Sequence, residues 1–324
     1  MDNLPDVIRI EPVGLCNFNC QHCPTGVAPN KRALLSKDQF HEIINSFKEI
    51  NFLPRVVVLY HGGESLLNKN LAYFIEYLKK WGVKKTAITT NASLLTEQKS
   101  KELIQAGIDQ IKCSFDGESP KENNFIRKKG NFYEDAKNLK NFCKIYKKIA
   151  KHKIDILTSN IIITQEKDLE TIDGSYKNIV KNKKQIPPKY LTDYFEEEKD
   201  VMRFSSFPAM VWPNLNKDDY LYKTYPSEQP SYCSLLFETF TILSNGNVVT
   251  CCYDLQGELV HGNVFKEKII DIWQGSKYKK IRDNFRLKKY NSFCKSCNVV
   301  TPIYMYKKDN LETFKKQKLK NCHT

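Results

Sequence analysis

Three cysteines near the start of the chain constrain its fold more than any other feature. Cys16, Cys20 and Cys23 lie in GLCNFNCQHCPTG, and this spacing indicates a shared metal centre. Structural zinc sites usually join two short pairs of ligands, and no fourth cysteine lies near these three. A cubane iron–sulfur cluster takes four ligands, so three thiolates leave one iron open to another molecule. The alternatives are a zinc site completed by His22 and thiols unrelated to any metal.

The C-x3-C-x2-C spacing resembles that of the radical S-adenosylmethionine (SAM) superfamily. The resemblance implies a 4Fe–4S cluster on Cys16, Cys20 and Cys23, whose open iron chelates the amino and carboxylate groups of SAM. It also implies an α/β fold built on a partial (β/α)6 TIM-like barrel. In such barrels the chemistry gathers at the C-terminal ends of the strands.

The first two-thirds of the chain supports that fold class, because apolar β-rich runs alternate with amphipathic helical stretches. Strands are predicted at 7–14, 55–64, 85–91, 110–117 and 153–164, with a sixth near 201–206. Ser36 and Thr96 are predicted to begin helices, and Gly82 and Gly107 to end them. The less periodic segment 165–232 is expected to cross the barrel mouth and contribute to a substrate pocket. Residues 1–232 therefore form the predicted barrel domain.

Length and charge narrow the class of protein. The chain has 324 residues, of which 41% are hydrophobic, enough for one large domain and a small appendage. It has no signal-peptide pattern and no apolar run as long as a membrane span, so a soluble cytoplasmic protein is expected. The net charge is +14, but the lysines are scattered and no basic stripe predicts nucleic-acid binding. The basic groups are either solvated helix surface or attract an anionic substrate or partner.

A second, smaller domain is predicted over 233–324. Two β-branched runs flank Asn245-Gly246, a dipeptide favoured in tight hairpin turns, and one helix is predicted over EKIIDIWQGSKYKKIRDNF. Four cysteines accompany this pattern: Cys233, Cys251, Cys294 and Cys297. Four thiolates complete one 4Fe–4S cluster with no open iron, and a zinc ion on the same ligands is the alternative.

The spacing of these four cysteines resembles the opening of the SPASM domain, an auxiliary-cluster module of the same superfamily. A full SPASM pattern has two more cysteines shortly after the C-x2-C pair, whereas only Cys322 follows here. One auxiliary cluster is therefore expected, as in the abbreviated twitch domain. Cys252 points away from its neighbour Cys251 if the two lie on a strand. It is either a packing residue or a thiol that donates a hydrogen atom to a substrate radical.

The resemblance also assigns residues around SAM. Gly62 and Gly63 match a GGE motif whose backbone contacts the amino group of SAM, and the carboxylate of Glu64 completes the motif. Further candidates follow the later strands: Asn91; Ser114 and Asp116, near the ribose or carboxylate of SAM; Ser159 and Asn160, near the ribose; and Arg127, near a carboxylate of SAM or of the substrate. The alternatives are loop capping by small polar residues and a solvated arginine.

Members of this superfamily cleave SAM reductively, and the resulting 5′-deoxyadenosyl radical abstracts a hydrogen atom from the substrate. A one-electron reductant such as flavodoxin or ferredoxin is implied as a partner. The architecture resembles the 2-deoxy-scyllo-inosamine dehydrogenases and the radical SAM sugar or nucleoside epimerases. Because the first cluster cysteine is at residue 16, no leader-binding domain is expected before it, and ligands for one auxiliary cluster only are expected.

We therefore expect oxidation or epimerisation of a sugar, cyclitol or nucleotide-like small molecule. Modification of a peptide is the first alternative. The second is a non-catalytic iron–sulfur or zinc scaffold that binds a partner through its basic surface.

Overall fold

The computed structural model describes residues 4–28, 32, 34–167, 187–309 and 311–316. Its strands in chain order are β1 (Val7–Ile10), β2 (Val56–Val58), β3 (Lys85–Thr90), β4 (Gln110–Asp116), β5 (Asp155–Ile162), β6 (Thr164–Gln165), β7 (Met202–Pro208), β8 (Tyr222–Thr224), β9 (Thr239–Ile242), β10 (Asn247–Val249), β11 (Val260–Asn263) and β12 (Ile303–Lys307). Nine strands form one sheet in the order β11-β10-β9-β1-β2-β3-β4-β5-β7, and the other three form a small sheet in the order β6-β12-β8.

The helices lie between these strands. Their bounds are Pro24–Val27, Lys37–Glu49, Leu71–Trp81, Glu97–Gln105, Pro120–Ile126, Phe132–Ile149, Lys189–Tyr194, Ser234–Phe237, Ile269–Gln274, Ser276–Arg286 and Ser292–Lys295. Single turns of 3-10 helix occur at Ser65–Leu67, Glu196–Glu198, Lys217–Asp219 and Leu311–Phe314. Among the described helices, none is both long enough and apolar enough to cross a bilayer.

Six parallel strands form the predicted partial barrel: β1, β2, β3, β4, β5 and β7. The described strands do not close, since β11 and β7 are the two edges of the sheet. The predicted caps are present: Ser36 forms a capping box with Gln39, Thr96 accepts from the amide of Lys99, and Gly82 ends its helix at φ 108°. The α/β class and the six βα units are therefore confirmed.

Successive side chains of each strand point to opposite faces of the main sheet, and the two faces have different environments. Ile8 and Ile10 of β1, like Ile111 and Phe115 of β4, are buried in one large core with the helices. Arg9 and Lys112 lie between those core positions and therefore point to the opposite, concave face of the half-barrel. This polar concave face is where the sheet can receive a ligand.

The C-terminal hairpin extends the main sheet. β9 pairs in parallel with β1, from Val7 opposite Thr239 to Ile10 opposite Ile242, and β10 returns antiparallel to β9. The turn between β9 and β10 contains Gly246 at φ 82°, a left-handed conformation that favours glycine. Phe240 and Ile242 are fully buried in the same core as the barrel strands. The hairpin that precedes Cys251 is therefore fixed to the strand that leads into the first cysteine loop.

The single helix predicted over 267–285 is wrong, because the structure has two helices, Ile269–Gln274 and Ser276–Arg286, joined at Gly275. Gly275 is extended, at ψ 157°, and ends the first helix while capping the second. A Cβ at this position would lie 2.6 Å from the carbonyl oxygen of Asp271. The periodicity of the apolar residues continues through the break, which explains why the sequence pattern did not reveal it.

The small sheet was not predicted. β12, which follows the C-x2-C pair, lies between β6 and β8 and covers a separate core that includes Met305 and Phe314. Its strands have two, three and five residues, too few to give a clear alternation in the sequence. Of the segment expected to cross the barrel mouth, 168–186 lies outside the described residues, as does Cys322.

Candidate active site

The first cysteine loop runs from the end of β1 to the helix Pro24–Val27. Cys20 is buried, and Cys16 and Cys23 are partly buried. The backbone of the loop is anchored to the segment after β4, since Asn19 and Gln21 donate amide hydrogen bonds to the carbonyl oxygens of Lys128 and Ile126, at 3.0 and 2.9 Å. The loop is thus positioned by the barrel rather than by its own sequence.

These thiols share one environment. Burial raises the pKa of Cys16 to about 11 and that of Cys20 to about 12; Cys23 adds to both shifts, and Cys16 adds to that of Cys20. Burial also raises the pKa of Cys23. Apolar surroundings thus favour the neutral thiols, whereas coordination to a metal removes the proton from a thiol outright. Three clustered sulfur donors without a fourth fit a cubane with one open iron.

His22 does not complete a zinc site with these cysteines. Its Nε2 lies 3.8 Å from Oδ2 of Asp116, on the other side of the loop. Within the part of the chain that the structure describes, no three His, Cys, Asp or Glu side chains converge closely enough to hold a single ion.

Arg127 is buried beside the first cysteines. Its Nη1 donates to Oδ2 of Asp116 at 2.8 Å, and its Nε is buried without a hydrogen-bond partner. Burial lowers the pKa of Arg127, but Cys20, Asp116 and Cys16 raise it by more. Oδ1 of Asp116 accepts from the amide of Ile161, so both oxygens of this carboxylate are engaged within the protein. Arg127 therefore keeps one donor for a ligand, whereas Asp116 orients Arg127.

The two glycines of the GGE motif allow close packing of backbone segments. A Cβ on Gly63 would lie 2.5 Å from the carbonyl oxygen of Leu15 and closer still to that of Val13. A Cβ on Gly62 would lie 3.1 Å from the Nη2 of Arg32. A side chain at Gly63 would therefore point toward the segment that leads into Cys16. Contact between the glycine backbone and SAM remains a prediction.

Glu64 joins the ends of two strands. It is buried, and it accepts from Oγ1 of Thr90 at 2.7 Å and from the amide of Asn91 at 2.8 Å. The side chain of Asn91 in turn donates to Oδ1 of Asn17, inside the cysteine loop, at 2.8 Å. Burial raises the pKa of Glu64, and these hydrogen bonds oppose that shift. Glu64 and Asn91 therefore tie the end of β3 to the cysteine loop.

The predicted serines and asparagine of β4 and β5 separate onto two faces. Ser114 and Ser159 are register partners, and Ser159 also pairs with Ser205 of β7, so three serines lie side by side on the concave face. Asn160 is fully buried on the other face, where it donates to the carbonyl oxygen of Gly117 at 3.0 Å. Neighbouring residues of a strand point apart. Ser159 and Asn160 therefore point to opposite faces of the sheet, and their contact with the ribose of SAM stays a prediction.

The four cysteines of the second set line one cavity. The cavity is otherwise apolar, and its wall is formed by Cys233, Cys251, Cys294 and Cys297 together with Leu235, Leu236, Thr250, Tyr253, Phe285, Phe293, Val299 and Val300. Burial raises the pKa of Cys294 and of Cys297 to about 12. A dry cavity with four sulfur donors and no other ligand suits a fully coordinated 4Fe–4S cluster.

Cys252 does not line that cavity. It nevertheless lies close to the cysteines that do, because it contributes to the raised pKa values of Cys233 and Cys297. It also lies near Arg9. Burial lowers the pKa of Arg9, and Cys252 raises that pKa more strongly than any other neighbour does. Cys252 is therefore near both Arg9 on the concave face and two of the cysteines that line the auxiliary cavity.

Two clusters of residues at this site were missed from the sequence. The first is Arg9 with Tyr60: the guanidinium lies 4.6 Å from the centre of the Tyr60 ring and donates to the Tyr60 carbonyl oxygen at 3.1 Å. The available signal was a charged residue inside an otherwise apolar strand, VIRI. Such a residue at a buried position is uncommon without a partner.

The second missed cluster is a buried hub around Glu11. Its carboxylate accepts from Nε and Nη2 of Arg32 at 2.7 and 2.8 Å, and from the amide and hydroxyl of Ser244 at 3.1 Å. Arg32 also donates to the carbonyl oxygen of Leu255 at 2.7 Å. The hub joins residue 32, which follows the first cysteine loop, to Ser244 in the turn of the hairpin that precedes Cys251. Nothing in the local sequence pairs residues this far apart.

Cys113, Cys143 and His61 lie in surroundings that fit a packing role. Cys113 and Cys143 are fully buried in the main core. His61 makes a 3.0 Å hydrogen bond with the carbonyl oxygen of Asp254, and burial lowers its pKa to about 4.

Two family profiles match the chain. The profile of the Radical SAM superfamily matches residues 10–178, more than half of the chain. The profile of an iron–sulfur cluster-binding domain, SPASM, matches residues 233–298. The two matches contain the first and the second cysteine sets, respectively.

Curated relatives cover the chain to different extents. A probable GTP 3′,8-cyclase of Methanothermobacter thermautotrophicus is 29% identical over 122 residues, 38% of this chain and 39% of that protein, so the chain matches well under half of that relative. The S-adenosyl-L-methionine-dependent 2-deoxy-scyllo-inosamine dehydrogenase of Niallia circulans is 24% identical over 313 residues, 93% of this chain and 96% of that protein.

Solved structures share the fold. The crystal structure of BtrN in complex with AdoMet and 2-DOIA superimposes with a TM-score of 0.58 and 18% identity, covering 92% of this chain and 94% of that one. Streptococcus suis SuiB bound to the precursor peptide SuiA gives a TM-score of 0.55 and 20% identity, covering 91% of this chain and 70% of that one.

Proposed function

Because this chain belongs to the radical SAM superfamily and carries an iron–sulfur cluster-binding SPASM domain, we propose that it oxidises a sugar, cyclitol or nucleotide-like small molecule. The observation that carries this proposal is the match to the 2-deoxy-scyllo-inosamine dehydrogenase, which spans 93% of this chain and 96% of that enzyme. The GTP 3′,8-cyclase matches over well under half of its length, so it does not support a whole-protein activity in the same way. A one-electron reductant such as flavodoxin or ferredoxin is the proposed partner.

The cofactors supply the difficult chemistry, and the protein supplies binding, orientation and shielding. When bound, SAM and the two 4Fe–4S clusters provide a hydrogen-abstracting 5′-deoxyadenosyl radical and one-electron transfer. Cys16, Cys20 and Cys23 are the proposed ligands of the first cluster, and the cavity cysteines Cys233, Cys251, Cys294 and Cys297 those of the second.

The remaining residues of the site hold the ligands in place. In this proposal, Gly62, Gly63, Ser114 and Ser159 lie along SAM, and Arg127 uses its free Nε toward a carboxylate. Glu64, Asn91 and Asp116 act as positioning residues, since their polar atoms already bind within the protein. The apolar cavity around the second set excludes water from the cluster.

Epimerisation is the second candidate, and Cys252 is the observation that favours it. A thiol beside Arg9 and outside the auxiliary cavity is suited to return a hydrogen atom to a carbon radical on the concave face. Oxidation does not need this thiol, because the carbon radical loses a proton and one electron instead.

Two variants distinguish oxidation from epimerisation, once screening of sugars, cyclitols and nucleotides has supplied a substrate. For oxidation, Cys294→Ala should stop product formation while SAM is still cleaved, and Cys252→Ala should keep turnover. Cys143→Ala, which removes a buried thiol far from the cavity, is the control. Solvent deuterium at carbon in the wild-type product, lost in Cys252→Ala, would instead establish epimerisation.

A further inference from the structure

The concave face carries two cations that the proposed chemistry does not use. Arg9 of β1 pairs in register with Val58, and Val58 pairs with Ala87. Two residues further along the same strands, Tyr60 and Thr89 point to the same side, and Thr89 is the register partner of Lys112. Arg9, Tyr60 and Lys112 therefore share one face of the sheet, near the C-terminal ends of its strands.

Arg9 is a buried cation without a carboxylate. It is 8% exposed, and its Nε is buried and makes no hydrogen bond. Across the described ranges, no carboxylate lies within ion-pair distance of either Arg9 or Lys112. A buried charge without an ion-pair partner is costly unless a further anion compensates it. The neighbours that stabilise the charge of Arg9 are Cys252, Tyr60 and Cys251, and an anion from outside the chain would add to them.

The pKa of Tyr60 reflects the positive charge of this region. Burial raises the pKa of its phenol, but Arg9 and Lys112 lower it by more, so the net pKa is lowered. The neighbouring serines of the concave face, Ser114 and Ser159, add hydroxyl donors without adding negative charge. Two cations and several hydroxyls on one face match the oxygens of a phosphate or a carboxylate.

The position of this region also matters. Arg9 lies near Cys252, and Arg127 lies beside the first cysteines. Arg9 and Arg127 therefore mark two separate cationic positions. An anionic group held at Arg9 would lie close to Cys252, beside the second cysteine set.

We propose that Arg9, with Tyr60 and Lys112, binds an oxyanion group of the substrate, so that the enzyme acts on an acidic small molecule such as a sugar phosphate or a sugar acid. This inference rests on the proposed function and names its substrate class. Arg9 replaces water around the oxyanion by a fixed donor, and Lys112 adds a second charge. The concave face thereby selects anionic over neutral substrates.

The test measures anion binding to the cluster-loaded enzyme saturated with SAM. Inorganic phosphate and acetate are titrated at constant ionic strength, and binding is followed by the saturable broadening of the phosphate ³¹P and the acetate ¹³C-carboxyl resonances. Wild type should bind at least one of them, and the anion that binds identifies phosphate or carboxylate as the group recognised. Arg9→Gln should weaken binding about tenfold or more, as expected for loss of a charged hydrogen bond.

Matched variants make the result specific. Arg9→Lys should keep part of the affinity, and Arg55→Gln, which removes an exposed arginine paired with Asp6, should bind like wild type. Equal anion affinity in wild type and Arg9→Gln would overturn the proposal. So would anion binding that is seen in a parallel titration without SAM but not in the SAM-saturated enzyme, because the site would then accept the carboxylate of SAM itself.

Failure of the proposed function gives a different result. SAM cleavage without substrate is therefore measured separately in wild type, as the readout of the proposed function. Absence of SAM cleavage in wild type would refute the proposed function and leave the anion titration interpretable. A shifted potential of the auxiliary cluster in Arg9→Gln, with unchanged anion binding, would make Arg9 a counter-charge for that cluster and would also overturn the inference.

Discussion

At the scale of single residues, the GGE motif has a packing role that its sequence does not reveal. The side of Gly63 that would carry a side chain faces the carbonyl oxygens of Val13 and Leu15, on the path into Cys16. Backbone oxygens cannot move aside as flexible side chains can. The glycine therefore determines the position of the first cysteine, whatever its contact with SAM.

Gly63→Ala should accordingly lose the first cluster. The added Cβ displaces the segment before Cys16, so anaerobic reconstitution should give about four irons instead of about eight. Val27→Ala, which shortens an exposed side chain in the helix after the cysteines, is the control. Iron content is measured together with visible absorbance. Full iron loading of Gly63→Ala would contradict the packing role.

At the scale of elements, the Glu11 hub joins four segments. Glu11 and Arg32 are 0% and 8% exposed at their side chains, and they connect the end of β1 with the turn after β9 and with Leu255. A buried ion pair satisfied by several hydrogen bonds fixes the geometry of the elements that contribute to it. The hub keeps the two cysteine sets in one arrangement.

Arg32→Gln should destabilise the protein strongly. It leaves the buried carboxylate of Glu11 without its cation, a change that typically lowers the free energy of unfolding by about 3–5 kcal/mol. Arg55→Gln breaks an ion pair in which both side chains are more than 60% exposed, and should cost less than about 1 kcal/mol. Anaerobic chemical denaturation measures both variants. Similar small losses in the two would show that the hub is not a stabilising element.

At the scale of the whole molecule, the segments that carry the two cysteine sets are attached to one sheet and one core. β9 of the hairpin pairs with β1, which leads into the first cysteine loop, and Phe240 packs in the core that also contains Ile8. The same sheet and core therefore support both cysteine sets. Yet each set has its own surroundings, so each cluster is expected to load independently.

Iron analysis tests this independence. Reconstituted wild type should hold about eight irons, and the triple variant Cys16→Ala, Cys20→Ala, Cys23→Ala about four, without SAM cleavage. The variant Cys294→Ala, Cys297→Ala should lose the other cluster while retaining SAM cleavage. If the triple variant kept all of its iron, the assignment of the first cluster would be refuted.

The amino-acid sequence by itself determined the local features of this protein. Cysteine spacing indicated both clusters, the 3.6- and 2-residue periods predicted the six βα units, and Ser36 and Gly82 marked the ends of helices. These features depend on residues near one another in the chain, and a short window of sequence contains all of the information needed.

Tertiary structure alone decided which distant residues meet. The pairing of β9 with β1, the hub of Glu11 and Arg32, and the concave position of Arg9 all join residues that the chain keeps far apart. It also separated Ser159 from Asn160 and divided a helix at Gly275. The physical reason is that burial, charge and backbone clashes depend on neighbours that are set only when the sheet and helices pack together.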